Sequence, residues 1–232
     1  MIVYGKNVIR EAVFAKRAMY SLYLDQKFND ENFISFLKKH QVKFEFKSKD
    51  ELFQLSQTKN HQGIVADVKA YSYQPLEILN DQESLKNVII LDSIEDPHNL
   101  GAILRSAEAT QMDAIIIPKK QQVPLNATVA KVSSGAIEHV PVIEVSNINQ
   151  AMDYLKSIGF WIVGTDGQTD HTYDDMPKDV SVAVVLGNEG SGMRPLVKKN
   201  CDMLVKIPMH GKINSLNVSV AAALMMYKMI DR

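Results

Sequence analysis

The chain has 232 residues, 46% of them hydrophobic and 23% charged, with a formal net charge of −1, the totals of an ordinary soluble globular protein with a sizeable core. There is no overall basic excess of the kind common in nucleic-acid binders, and no apolar run is long enough for a membrane helix. The single cysteine, Cys201, excludes an internal disulfide and a multi-cysteine metal site, so the expected setting is a reducing cytoplasm with Cys201 as a small buried hydrophobe.

The start, Met1-Ile2-Val3-Tyr4-Gly5, is not a signal peptide. Apolar Val8, Ile9, Ala12 and Val13 predict a helix over 6–16, and Tyr20 to Leu24 reads as a strand. Asn29-Asp30-Glu31 starts a second helix, with Phe33, Ile34, Phe36 and Leu37 on one face. A strand over 42–46, a short helix over 49–57 begun by Ser48, and a strand over 63–68 follow. This makes a compact α/β unit over residues 1–72, with residues 73–84, largely polar and containing Pro75 and Asn80-Asp81, as linker. Residues 1–72 hold 12 basic and 8 acidic side chains, against 14 and 19 in the remainder. A basic front part suits contact with phosphates.

Residues 85–232 open with Asn87-Val88-Ile89-Ile90-Leu91, an apolar run typical of a strand buried on both faces of a parallel sheet. A helix from Asn99, a strand over 114–117, a helix over 126–133, a strand over 140–145 and a helix over 148–158 come next. Strands over 161–164 and 182–186, a short helix near Arg194, a strand over 203–207 and a final apolar helix complete the pattern. Alternating strands and helices predict an α/β fold with a parallel sheet covered on both sides.

Three polar clusters fall at the carboxyl ends of predicted strands, where open α/β sheets bind ligands. The first, Asp92 to Ala107, carries Asn99 and Arg105, six residues apart on a helix and so roughly 9 Å apart along its axis. Arg105 could grip a phosphate there, or Asn99 could simply cap the helix with Arg105 a surface cation. The second, Leu186 to Arg194, is glycine-rich around Glu189 but is neither a dinucleotide fingerprint nor a Walker loop. In the third, Ile207 to Met226, Pro208 stops a strand, and Asn214 and Ser215 precede a long apolar run as helix-start signals. This helix has Ser215, Asn217 and Ser219 near its mouth. Histidines 61, 98, 139 and 210 lack metal-ligand spacing, and no nucleophile elbow occurs.

Taken together and in order, NLGAILRSAEA, VVLGNEGSGM and IPMHGKINSLNVSVAAAL closely resemble the three motifs of SpoU-type RNA 2′-O-ribose methyltransferases of the SPOUT class. The resemblance covers nearly the whole chain. The front part, with His61-Gln62-Gly63-Ile64, looks like the substrate-binding domain of the branch that methylates guanosine in 23S ribosomal RNA. The resemblance implies S-adenosylmethionine as cofactor, an RNA substrate, a homodimer, and a deep C-terminal trefoil knot in a parallel-sheet methyltransferase domain behind the small α/β substrate-binding domain. It implies cofactor contacts at Gly187, Ile207, Pro208, Met209 and Leu216, and catalytic positions at Asn99, Arg105, Glu189, Ser215 and Asn217; no metal is expected.

Arg105 matches the position favoured in the family for activating the ribose hydroxyl. Since a guanidinium stays charged in proteins, stabilising a developing alkoxide is the easier role. Lys6, Arg10, Lys16, Arg17, Lys38 and Lys39 are the expected grip on RNA. A tRNA ribose methyltransferase with the same core, and a non-catalytic RNA-binding assembly factor, are the rival readings. The separate front domain argues against the first, and the intact set of motif residues against the second.

Overall fold

The computed structural model describes residues 1–81, 84–188, 190, 192–212 and 215–231. The chain divides into two compact units, one of Met1–Ser72 with Leu125–His139 and one of Tyr73–Pro124 with Val140–Arg232.

The first unit holds β1 (Ile2–Tyr4), α1 (Lys6–Phe14), β2 (Met19–Asp25), α2 (Glu31–Lys39), β3 (Glu45–Lys47), α3 (Lys49–Ser56) and β4 (Ile64–Val68). Its sheet runs β1-β4-β2-β3, with β4 antiparallel to both neighbours and β2 parallel to β3. Local chemistry sets the helix starts. Asp30 accepts from the Phe33 amide, and Ser48 and Glu51 form a reciprocal capping box. The apolar stripes of α1 (Val8, Ile9, Ala12) and α2 (Phe33, Leu37) are buried.

An excursion of the chain over Leu125–His139 completes this unit. Its helix α5 (Ala127–Val132), capped by Asn126, packs against β1 and α1. The Arg17 guanidinium holds Glu138 at 2.8 Å, lies 3.3 Å from the centre of the Tyr71 ring, and Tyr71 Oη donates to the same carboxylate at 2.9 Å. Burial pushes the Glu138 carboxyl above its ordinary range, against the pull of Arg17.

The second unit contains β5 (Asn87–Asp92), α4 (Pro97–Ala109), β6 (Ala114–Pro118), β7 (Val142–Val145), α6 (Ile148–Ser157), β8 (Phe160–Thr165), β9 (Ser181–Gly187), α7 (Pro195–Lys199), β10 (Met203–Val205) and α8 (Val218–Ile230). All six strands are parallel, in the order β10-β8-β9-β5-β6-β7. The central strands β5 and β9 are almost wholly apolar and buried, as a sheet covered on two faces requires. One core gathers Val88, Ile90, Ile116 and Val185 from the sheet with Ile148, Met152 and Leu155 from α6. Each such side chain stabilises the fold by about 1.5–3 kcal/mol.

From β5 the chain proceeds outward through β6 and β7, then returns to place β8, β9 and β10 on the other side of β5. The crevice between the ends of β5 and β9 is therefore the topological switch point, where ligands of open parallel sheets bind. Helix α8 packs against α4 at this central position, although it follows the edge strand β10. Cys201 is partly buried and burial pushes its thiol up to about 12, which keeps it inert. No helix among the described residues is long and apolar enough to cross a membrane.

Candidate functional site

Asp92, the last residue of β5, is beside Gly187, the last of β9, in the strand register. The Asp92 side chain is fully buried and is held from one partner at three points. Arg194 Nε and Nη2 each lie 2.7 Å from Oδ1, and the Arg194 amide donates to Oδ2 at 2.9 Å. A buried carboxylate is tolerable only with such compensation. The pair ties the end of β5 to the far end of the glycine-rich loop.

That loop folds back on itself. The Asn188 amide donates to the Gly192 carbonyl at 3.1 Å, and Gly192 returns a bond to Asn188 at 2.9 Å. A Cβ on Gly187 would lie 2.1 Å from the Met193 nitrogen, so no other residue fits there. Asn188 Nδ2 also donates to the Ser93 carbonyl at 2.9 Å. Ser93 has φ of 72°, the left-handed region that costs an ordinary residue of order 1 kcal/mol or more. Both loops of the switch point are thus pinned to each other. Glu189, the expected acidic member, lies outside the described residues, as does Asn214.

Helix α4 brings in the first motif. Asp96 is its cap, accepting from the His98 amide at 2.8 Å, and Pro97 fills the first position, where no N–H is needed. Asn99 is therefore no cap: it sits one turn in, buried, and its Oδ1 accepts from Asn217 Nδ2 at 3.0 Å. Asn217, rather than Asn214 or Ser215, caps α8, with its Oδ1 accepting from the Ser219 amide at 2.9 Å and the Ser219 hydroxyl at 2.5 Å. Capping fixes the orientation of the Asn217 amide, and that in turn fixes Asn99. The two asparagines, 118 positions apart, are brought together. Arg105 is exposed on α4 and has no hydrogen bond or ion pair among the described residues. Ser215 is exposed.

Between β10 and α8 the chain leaves regular structure. The backbone from Ile207 to Lys212 makes no backbone–backbone hydrogen bond among the described residues, while Ile207, Pro208 and Leu216 are half-buried and Met209 is exposed. Free backbone groups beside half-buried apolar side chains suit a ligand that carries both a polar edge and an apolar face. A neighbouring stretch after β8 is anchored too: Asp166 pairs with Lys198, which holds the Asp166 carboxyl below its ordinary range, and Lys228 of α8 lies 2.6 Å from Asp174. Among the described residues no His, Cys, Asp or Glu cluster could hold a metal ion.

Sequence reasoning had not singled out Asp92, Ser93, Asn188 or Arg194. An acidic residue closing a fully apolar strand was the one visible signal. Its partner lies 102 positions away.

The fold is a parallel α/β domain, and its three polar loops lie at the topological switch point and beside the amino end of α8. Residues 86–227 match the model of the SpoU rRNA Methylase family, and residues 2–74 match the RNA 2′-O ribose methyltransferase substrate binding domain. A Staphylococcus aureus protein named as a TrmH family tRNA/rRNA methyltransferase is 42% identical, over 100% of this chain and 96% of its own length. The chain belongs to the SpoU family of RNA methyltransferases. The SpoU methyltransferase AviRb of Streptomyces viridochromogenes, solved with AdoMet, has the same fold at a TM-score of 0.84 and 24% identity, covering 100% of this chain and 89% of AviRb. An AdoMet-bound rRNA methyltransferase of Sinorhizobium meliloti gives 0.82 and 20%, covering 98% and 85%.

Proposed function

We propose that this protein transfers the methyl group of S-adenosylmethionine to a ribose 2′-hydroxyl of RNA, with a guanosine of 23S ribosomal RNA as the favoured target. The hydrogen bond between Asn99 and Asn217 carries the reading, because it joins the first and third family motifs into one rigid wall at the switch point. Family membership supports the reaction, and the fold shared with the Sinorhizobium rRNA methyltransferase across both units supports a ribosomal substrate. The front region, residues 1–72, then serves RNA binding, residues 73–84 link, and residues 85–232 hold the chemistry apart from the stretch 125–139, which folds with the front region.

The cofactor supplies a methyl already activated by a positive sulfur. Backbone groups of Gly187 and of the Ile207–Met209 stretch bind its polar edges, and Ile207, Pro208 and Leu216 cover its apolar parts. Arg105 holds the phosphate beside the reacting ribose and stabilises the alkoxide as it forms. The proton of the ribose 2′-hydroxyl leaves to solvent, which reaches the exposed Arg105 position, and Arg105 stays charged throughout. Asn99 and Asn217 position the wall, and Ser215 contacts the nucleotide. Asp92 and Arg194 are positioning residues that fix both loops.

Homodimerisation fits α8, where Val220, Leu224, Tyr227 and Ile230 form an exposed apolar face at helical spacing. A C-terminal trefoil knot is the way we infer the chain passes from edge strand β10 to central α8.

The test is transfer of labelled methyl from S-adenosylmethionine to separate pools of unmodified ribosomal RNA and tRNA, followed by nucleoside analysis. Label as 2′-O-methylguanosine in the large ribosomal RNA is expected. Label in tRNA alone would move the substrate, and label in neither pool would refute the activity.

A further inference from the structure

The expected RNA grip is partly engaged elsewhere: Lys6 pairs with Asp30 at 2.7 Å and Arg17 with Glu138 at 2.8 Å. Another set of cations in the first unit is not. A cavity of about 620 Å³ is bordered by Asp25, Lys27, Ser48, Lys49, Lys59 and His61. Lys27, Lys49 and Lys59 are exposed and form no ion pair among the described residues. Against the single carboxylate of Asp25, three ammonium groups leave the cavity cationic. Ser48 and Lys49 at the start of α3 line the same space, while the capping box of Ser48 and Glu51 takes up the amino end of that helix itself.

His61 gives the cavity a second mark. The residue is only 2% exposed, and its Nδ1 accepts from the Gly63 amide at 3.1 Å. Burial holds the imidazole below its ordinary pKa and so neutral, which puts the one ring proton on Nε2. Nε2 has no hydrogen-bond partner among the described residues. A buried donor without an acceptor is a cost that a ligand oxygen can remove. The turn that carries His61 is itself constrained, with φ of 56° at Gln62 and 74° at Gly63. A Cβ on Gly63 would press against Phe28 at 3.1 Å and Asp25 at 3.3 Å.

We propose that this cavity binds successive backbone phosphates of the RNA substrate, with Lys27, Lys49 and Lys59 as its cationic rim and the His61 turn as its floor. The assignment rests on the RNA reading above and locates a contact made outside the methyl-transfer site. Such a contact holds the strand in register without reading its bases.

The experiment uses the full chain and a fragment of unmodified large ribosomal RNA, with the dissociation constant measured across a salt series. Replacing the rim (Lys27→Gln, Lys49→Gln and Lys59→Gln together) removes three phosphate-facing charges. The slope of log affinity against log salt should shrink by about 2, and affinity should fall at least roughly tenfold. S-adenosylmethionine affinity of the same variant should match the wild type. Unchanged slope and affinity in the variant, with the wild type binding RNA, overturn the cavity assignment and leave the methyltransferase reading standing. A wild type that binds no RNA overturns both. Should the triple variant lose cofactor affinity as well, Lys59→Gln alone decides: a slope reduced by about 0.7 supports the assignment, and an unaltered slope overturns it.

Discussion

At the end of β5 in the six-stranded sheet, the one charged side chain, Asp92, is fully buried and bound at three points by Arg194. Around the cavity of the four-stranded sheet, Lys27, Lys49 and Lys59 stand exposed with no ion pair among the described residues. The first arrangement spends its charge on rigidity: two loops and a strained Ser93 are locked before any ligand arrives. The second keeps its charge for something outside the chain. A reacting centre needs preorganisation, because misplacement by about 1 Å can cost about a hundredfold in rate. A phosphate grip needs only unpaired cations within reach.

Breaking the locked side should have the larger effect. Arg194→Ala leaves the Asp92 carboxylate buried with only a backbone amide, and should cost about 2 kcal/mol, less than a fully buried pair because Arg194 is half exposed. Thermal unfolding should report a lower midpoint and calorimetry a weaker grip on S-adenosylmethionine. An unchanged midpoint would show that the pair does not organise the loops.

A smaller effect sharpens the other side. The folded pKa of His61 is depressed by burial, with Asp25 opposing and Lys49 assisting. In the unfolded chain the imidazole takes a proton near its ordinary pKa of about 6.5, whereas the folded one resists. His61 thus contributes stability that is present above about pH 6.5 and lost as pH falls through the lowered folded value. Melting midpoints measured from pH 7.5 to 5.5 should decline less steeply in His61→Asn than in the wild type. Parallel curves would mean that His61 is not held neutral.

Much of this was readable in the residues. Apolar runs such as Val88 to Leu91 announced central parallel strands, and Asp30, Ser48 and Asn126 announced helix starts, because both signals are local. Strand β1 escaped because three residues carry too little periodicity, and its partner β4 begins some sixty residues later. The starts of α4 and α8 were misplaced for one reason: several residues able to cap stand in a row, and only the fold selects Asp96 and Asn217. The docking of residues 125–139 on the first unit, and the meeting of Asp92 with Arg194, depend on long-range packing that no local pattern encodes. Family motifs pointed to Asn99, Arg105, Ser215 and Asn217. The residues that lock the loops around them emerged from geometry.

The most direct test of the account is Arg105→Ala, assayed for methyl transfer to RNA and, separately, for S-adenosylmethionine affinity. Arg105 lies on α4 rather than in the loops assigned to the cofactor, so transfer should fall by at least about a hundredfold, as for loss of an oxyanion donor, with cofactor affinity near wild type. Near-normal turnover in that variant would contradict the account, because the alkoxide would then be stabilised by some other group.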